Sequence, residues 1–251
     1  MFVKKLLSCL CIAVVAVSVS ATTRSWRGDS NGCFSDSETV TRWSPTKNVI
    51  WKTALTNWSN ATPLLLGDTV FTCAEPGTLM CLNKKDGTLL WEASYIEGEE
   101  PKPETHKVAG YTSMTPVSDG TFVYVASGYS TVACFDLNGN RQWMEQLNPS
   151  EHRWGSSGSP VLVDGKLILH IETVVTALDV ATGKTLWKTS TEKRGTWGTP
   201  LAVQCGKDWA IYTTSGDFIK VDDGTRLAQK QPILPWSSPI TDGSAIYLFD
   251  E

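Results

Sequence analysis

The chain has 251 residues, 41% apolar side chains, 19% charged ones and a formal net charge of −4. Its 11 Trp, 6 Tyr and 7 Phe supply enough large apolar surface for a real core, which excludes a disordered chain. No basic stripe is available to neutralise phosphates, so nucleic acid is not an expected partner, and the collagen, coiled-coil and multi-span membrane patterns are absent.

Residues 1–21 carry the three parts of a secretory signal: Lys4 and Lys5, an apolar run from Leu6 to Val19, and small residues up to Ala21. Cleavage there predicts a secreted, periplasmic or cell-envelope protein with no transmembrane segment left. Five cysteines follow the leader, Cys33, Cys73, Cys81, Cys134 and Cys205, an odd number whose spacing fits no zinc pattern. Cys73 and Cys81 flank a turn at Pro76-Gly77, where a cross-strand bridge is an option; small apolar residues in strands is the favoured reading.

Residues 22–47 lead into a repeat that fills 48–251. Four copies run from a Thr-Pro or Ser-Pro to a glycine turn: Pro63 to Gly87, Pro116 to Gly139, Pro160 to Gly183 and Pro200 to Gly224, separations of 24, 23, 23 and 24 residues. Trp91, Trp143 and Trp187 each follow that glycine by four residues, and Ala228 fills the slot in the fourth copy. A fifth copy opens at Ser238-Pro239. Within each copy, hairpin signals such as Gly67-Asp68 and Asp164-Gly165 separate short β-branched and apolar runs. Asn83, Asp136, Asp179 and Asp222 precede the glycine, where a carboxylate or amide caps the turn.

Four short strands per unit of about 40 residues, without a sustained helical period, predict an all-β fold: a β-propeller of four-stranded blades. About four blades and the start of a fifth are present, so the ring is expected to be incomplete. A lone four-stranded sheet cannot shield both apolar faces, whereas blades stacked around an axis bury each face on a neighbour. The tryptophan adds contact area, and its indole N–H can reach a backbone carbonyl.

Ala177-Leu178-Asp179-Val180-Ala181-Thr182-Gly183-Lys184-Thr185-Leu186-Trp187 resembles the PQQ-type β-propeller repeat, Ala-x-Asp-x-x-Thr-Gly-x-x-x-Trp. The copies ending at Trp91 and Trp143 are degraded forms. Trp26-Arg27-Gly28-Asp29 and the stretch from Trp43 to Lys52, which includes Trp51, are similar to the opening of the exported PQQ-binding-like propellers of bacteria. That group includes an outer-membrane assembly lipoprotein. The resemblance implies seven or eight blades, so residues 48–251 are expected to be the amino-terminal part of a longer propeller. Asn48 to Leu55 resembles the outermost strand that joins the last blade.

The resemblance also implies two functions. The first is a non-enzymatic scaffold that binds other proteins or peptides, with no cofactor. The alternative is a quinoprotein alcohol or sugar dehydrogenase, with PQQ and calcium held by residues in the missing carboxy-terminal part. No adjacent cysteine pair follows the leader, and no nucleophile motif or paired metal-spacing histidines occur. The binding candidates are His106, His152 and Trp154, in connections that gather near the axis. A loop insertion from Tyr95 to Ser113 is rich in Glu and Lys and reads as a solvated loop. Trp58, Tyr111, Trp154, Trp197 and Trp236 recur before the repeat prolines and read as inter-blade packing rather than a sugar or peptide platform, a reading that exposed members would change. His170, in an apolar run, reads as structural.

Overall fold

The computed structural model describes residues 25–28, 40–96, 110–129, 131–148, 150–152, 154–193, 197–234 and 236–249. The expected leader, Cys33, His106 and most of the acidic insertion lie outside these. Among the described residues there is no helix, and so none long and apolar enough to cross a membrane.

The strands fall into successive antiparallel sheets, each a meander in chain order. The first blade holds β1 (Leu64–Leu66), β2 (Thr69–Ala74), β3 (Thr78–Asn83) and β4 (Leu89–Ser94). The second holds β5 (Val117–Ser118), β6 (Phe122–Ala126), β7 (Thr131–Asp136) and β8 (Arg141–Gln146). The third holds β9 (Val161–Val163), β10 (Lys166–Ile171), β11 (Val174–Asp179) and β12 (Thr185–Ser190). The fourth holds β13 (Leu201–Cys205), β14 (Asp208–Tyr212), β15 (Phe218–Lys220) and β16 (Arg226–Ala228). A two-stranded sheet follows, β17 (Ile240–Thr241) and β18 (Ile246–Tyr247). The fold is an incomplete β-propeller of four full blades and part of a fifth.

Stacking follows from the two-residue period of strands. On β7, Ala133 and Phe135 pack with Phe71, Cys73 and Leu79 of the first blade. The alternate residues Val132 and Cys134 pack with Leu167, Leu169 and Leu178 of the third. Ile168, Val175 and Ala177 of the third blade meet Ile211 and Ile219 of the fourth in the same way. Middle strands are thus buried on both faces, and each fully buried Leu or Ile contributes about 2 kcal/mol.

Cys73 and Cys81 are buried free thiols on one face, with Cys73 opposite Leu79 and Cys81 opposite Phe71. Burial pushes Cys73 up to about 12 and Cys81 up to about 11, and Cys134 likewise to about 12.

Each repeat tryptophan reaches across to the next blade. The indole Nε1 of Trp91 donates to the Leu137 carbonyl at 3.0 Å, that of Trp143 to Val180 at 2.9 Å and that of Trp187 to Val221 at 2.9 Å. The ring lies on the glycine of the same turn: Gly139 under Trp91, Gly183 under Trp143 and Gly224 under Trp187. Trp51 repeats the geometry on the first blade, donating to Lys84 O at 2.8 Å and covering Gly87. Thr53 donates to the Gly87 carbonyl as Thr189 does to Gly224 at 2.6 Å. The stretch expected as a strand, Asn48 to Leu55, therefore occupies an outermost-strand position against the first blade, but has no ladder partner among the described residues.

The capping side chains depart from the sequence reading in one place. Asn83, Asp136 and Asp179 each accept turn N–H groups through their side chains, Asp179 from Thr182 at 2.9 Å. Asp222 does not: the capping carboxylate of the fourth turn is Asp223, which accepts from Thr225 N at 2.9 Å. The reason is register. Gly183 N bonds to Asp179 O and Gly224 N to Lys220 O, so Lys220 holds the position equivalent to Asp179.

Candidate functional site

The first strand of each blade is its innermost: β5 touches β9, and β9 touches β13. Just before these strands, the repeat hydroxyls form a belt from blade to blade. Thr62 N donates to Thr115 Oγ1 at 3.1 Å, Thr115 N to Ser159 Oγ at 3.0 Å, Ser159 N to Thr199 Oγ1 at 3.0 Å and Thr199 N to Ser238 Oγ at 2.9 Å. The following proline cannot donate and fixes φ, so the backbone N–H of the Thr or Ser itself makes each link. Sequence reading had these residues only as alignment marks.

The connections that feed the belt carry an aromatic ladder. Trp197 stacks on Trp236 with centroids 4.6 Å apart and planes 5° apart, and Trp154 leans on Trp197 at 5.4 Å. His152 joins them, 5.5 Å from Trp197 and edge-on to Trp154 at 5.8 Å; the backbone N–H of Trp154 donates to His152 Nδ1 at 3.2 Å. Two of the three binding candidates from the sequence are thus brought together, and the third, His106, lies outside the described residues.

The wider aromatic set divides. Tyr111 is buried against Tyr129 at 4.8 Å, a packing role. Trp236 is 60% exposed and Trp58 40%. Packing alone does not account for those two.

Ladder and belt share a groove of about 480 Å³. Trp154, Trp197 and Trp236 line it together with Ser159, Thr199 and Ser238. Trp26 and Arg27 come to it from the segment before the repeat, the guanidinium 4.3 Å from the Trp26 ring. Among the described residues of the lining, Arg27 is the one that is formally charged.

Several acidic groups elsewhere among the described residues are engaged in structure. Glu75 is buried, and its carboxylate accepts from Tyr111 N at 3.0 Å, Thr112 N at 2.7 Å and Thr112 Oγ1 at 2.6 Å, pinning the connection that enters the second blade. Asp217 pairs with Arg226 at 3.1 Å and accepts from Ser215 Oγ. Asp136 is held below the usual carboxylate range by hydrogen bonds from the Asn140 side chain and backbone. His170 is buried in β10, burial pulls it down to about 4, and Nδ1 has no partner among the described residues.

A PQQ–calcium centre needs several oxygen donors around the ion, carboxylates foremost. The groove lining contains no carboxylate and one amide, Asn60, and no three His, Cys, Asp or Glu residues converge among the described residues. These residues do not fit that centre.

The family model described as outer membrane protein assembly factor BamB matches residues 28–168. The chain belongs to this family. A curated relative, the outer membrane protein assembly factor BamB of Burkholderia pseudomallei, is 29% identical over 183 residues, covering 72% of this chain and 43% of its own length. The quinohemoprotein alcohol dehydrogenase ADH-IIG of Pseudomonas putida is 25% identical over 152 residues, covering 55% of this chain and 20% of its own. Among solved structures, a quinohemoprotein alcohol dehydrogenase ADHIIG from Pseudomonas putida aligns with a TM-score of 0.56 at 17% identity, over 73% of this chain and 36% of that one. That last likeness shows the fold alone. The chain spans less than half the length of these curated relatives.

Proposed function

We propose that this chain is an exported, cofactor-free binding scaffold of the cell envelope that engages other proteins during outer-membrane protein assembly. The supporting observation is what the repeat does with its polar groups. Carboxylates at the turns serve as caps, Glu75 and Asp217 hold loops, and among the described residues the groove offers hydroxyls and one guanidinium in place of an acid–base pair. Membership of the assembly-factor family supplies the setting.

The outer strands β4, β12 and β16 each have an edge without a ladder partner among the described residues, and each carries a half-exposed leucine: Leu90, Leu186 and Leu227. Apolar side chains beside free backbone groups suit a partner that adds a strand. Deleting the gene should lower the amount of folded outer-membrane β-barrel protein. The wild-type chain should restore it, and a Leu90→Asp, Leu186→Asp, Leu227→Asp variant of equal stability should not. Unchanged barrel levels in the deletion strain would reject the reading.

The likeness to a quinohemoprotein dehydrogenase supports the second reading, a PQQ- and calcium-dependent enzyme. Titrating the full-length protein with PQQ and calcium separates the two. A tight complex with alcohol turnover would establish the enzyme, and no saturable absorbance change would remove it.

A further inference from the structure

The groove has two properties that the scaffold reading leaves unused. First, Trp236 is stacked face to face on Trp197 yet 60% exposed, so its flat apolar surface is open to solvent beside the groove. Second, the belt hydroxyls of Thr115, Ser159, Thr199 and Ser238 accept a neighbour's N–H, while their own protons have no acceptor among the described residues. All four are buried and line the groove. Buried donors of this kind are costly to leave unpaired, and a ligand that brings acceptors removes that cost.

We infer that this groove binds a saccharide, with one pyranose ring stacked on Trp236 and its ring substituents accepting from the belt hydroxyls. The chemistry is matched on both sides. A pyranose has a flat C–H face for the indole and oxygen acceptors at its rim for a row of O–H donors. A cavity of about 480 Å³ is the size of a small-molecule site. Consecutive belt residues are joined by single hydrogen bonds, Thr115 N to Ser159 Oγ at 3.0 Å and Ser159 N to Thr199 Oγ1 at 3.0 Å, so neighbouring hydroxyls can meet nearby oxygens of one ligand. Arg27 lines the groove, and with no carboxylate among the described lining residues it favours a sugar that carries a carboxylate. The site is independent of the outer strand edges proposed for protein partners, so either reading can fail alone.

The test uses the full chain with two probes, tetragalacturonate and neutral tetra-N-acetylchitotetraose, read by saturation-transfer NMR and tryptophan fluorescence. The expected result is saturable binding, tighter for the acidic probe at low salt. Trp236→Ala should weaken it about tenfold, a loss of about 1.4 kcal/mol. Trp236→Phe should restore part of the loss, and Arg27→Gln should equalise the two probes. Trp58→Ala, a change at an exposed tryptophan outside the groove, should leave binding intact, and circular dichroism should show all variants folded. No saturable response to either probe overturns the inference. So does binding that Trp236→Ala leaves unchanged, or saturable binding of PQQ in the groove with no response to sugar.

Discussion

The indole of Trp143 lies flat on Gly183 of the following blade, so close that a Cβ added to the glycine would stand 2.6 Å from Cε3 of the ring. The same ring donates to Val180 O at 2.9 Å. One residue therefore supplies contact area and a directed bond to a turn it is far from in sequence. The turn must present a residue with φ of +74° and no side chain.

That relationship separates two effects of one kind of substitution. Gly165 also has positive φ, +68°, but nothing lies within 4 Å of the place where its Cβ would be. Gly165→Ala carries the backbone penalty alone, about 1 kcal/mol. Gly183→Ala adds the collision with Trp143 and should cost about 3 kcal/mol in total. Urea unfolding with unchanged slope should show the difference, and equal costs would mean the ring is not seated on the turn.

The buried carboxylate of Glu75 receives two backbone N–H groups and a hydroxyl from the next connection. Glu75→Ala orphans all three donors and should destabilise by about 3 kcal/mol; Glu75→Gln keeps one acceptor oxygen and should cost roughly half of that. Amide exchange at Tyr111 and Thr112 should accelerate in the alanine variant. Unaltered protection there would show that the carboxylate does not hold the loop.

His170 sets an acid limit on the fold. Its ordinary value is 6.5, and burial pulls the folded value down to about 4. Between those two pH values the unfolded chain binds a proton that the folded chain refuses, so stability falls as pH drops. The loss from this residue is about 2 kcal/mol near pH 5. His170→Leu should flatten stability across that window relative to wild type, measured by chemical denaturation at each pH. A parallel profile for both proteins would contradict the assignment.

The thiols should sort by burial. Cys73, Cys81 and Cys134 are held in the thiol form by desolvation, whereas Cys205 is exposed. Among these four, a disulfide reagent near pH 8 should label Cys205 in the native protein and the others only on unfolding. Rapid native labelling that survives Cys205→Ser and maps to β2 or β3 would show those strands to be open.

Much of the fold was legible because stacking forces repetition on the sequence. Pro63, Pro116, Pro160 and Pro200 open the inner strands, and Gly87, Gly139, Gly183 and Gly224 mark the turns before the outer ones. What the spacing could not show is partnership between blades. Nothing local to Trp143 says that its bond goes to Val180. Nor does Ser159 before a proline declare that its oxygen accepts from Thr115. The fourth turn misled for a related reason: adjacent Asp222 and Asp223 look interchangeable in sequence, and only the Gly224–Lys220 backbone bond fixes which one caps. The aromatic set was legible as a period but not as a site, since period does not reveal that Tyr111 is buried while Trp236 is open.

The docking of each ring on the next blade is tested most directly by a double-mutant cycle of Trp143→Ala and Gly183→Ala, with stability read from urea unfolding. If the blades are joined as described, removing the ring removes the collision. Gly183→Ala should then cost only the ~1 kcal/mol of its backbone conformation, a coupling of about 2 kcal/mol. Costs that simply add, within about 0.4 kcal/mol, would contradict the account.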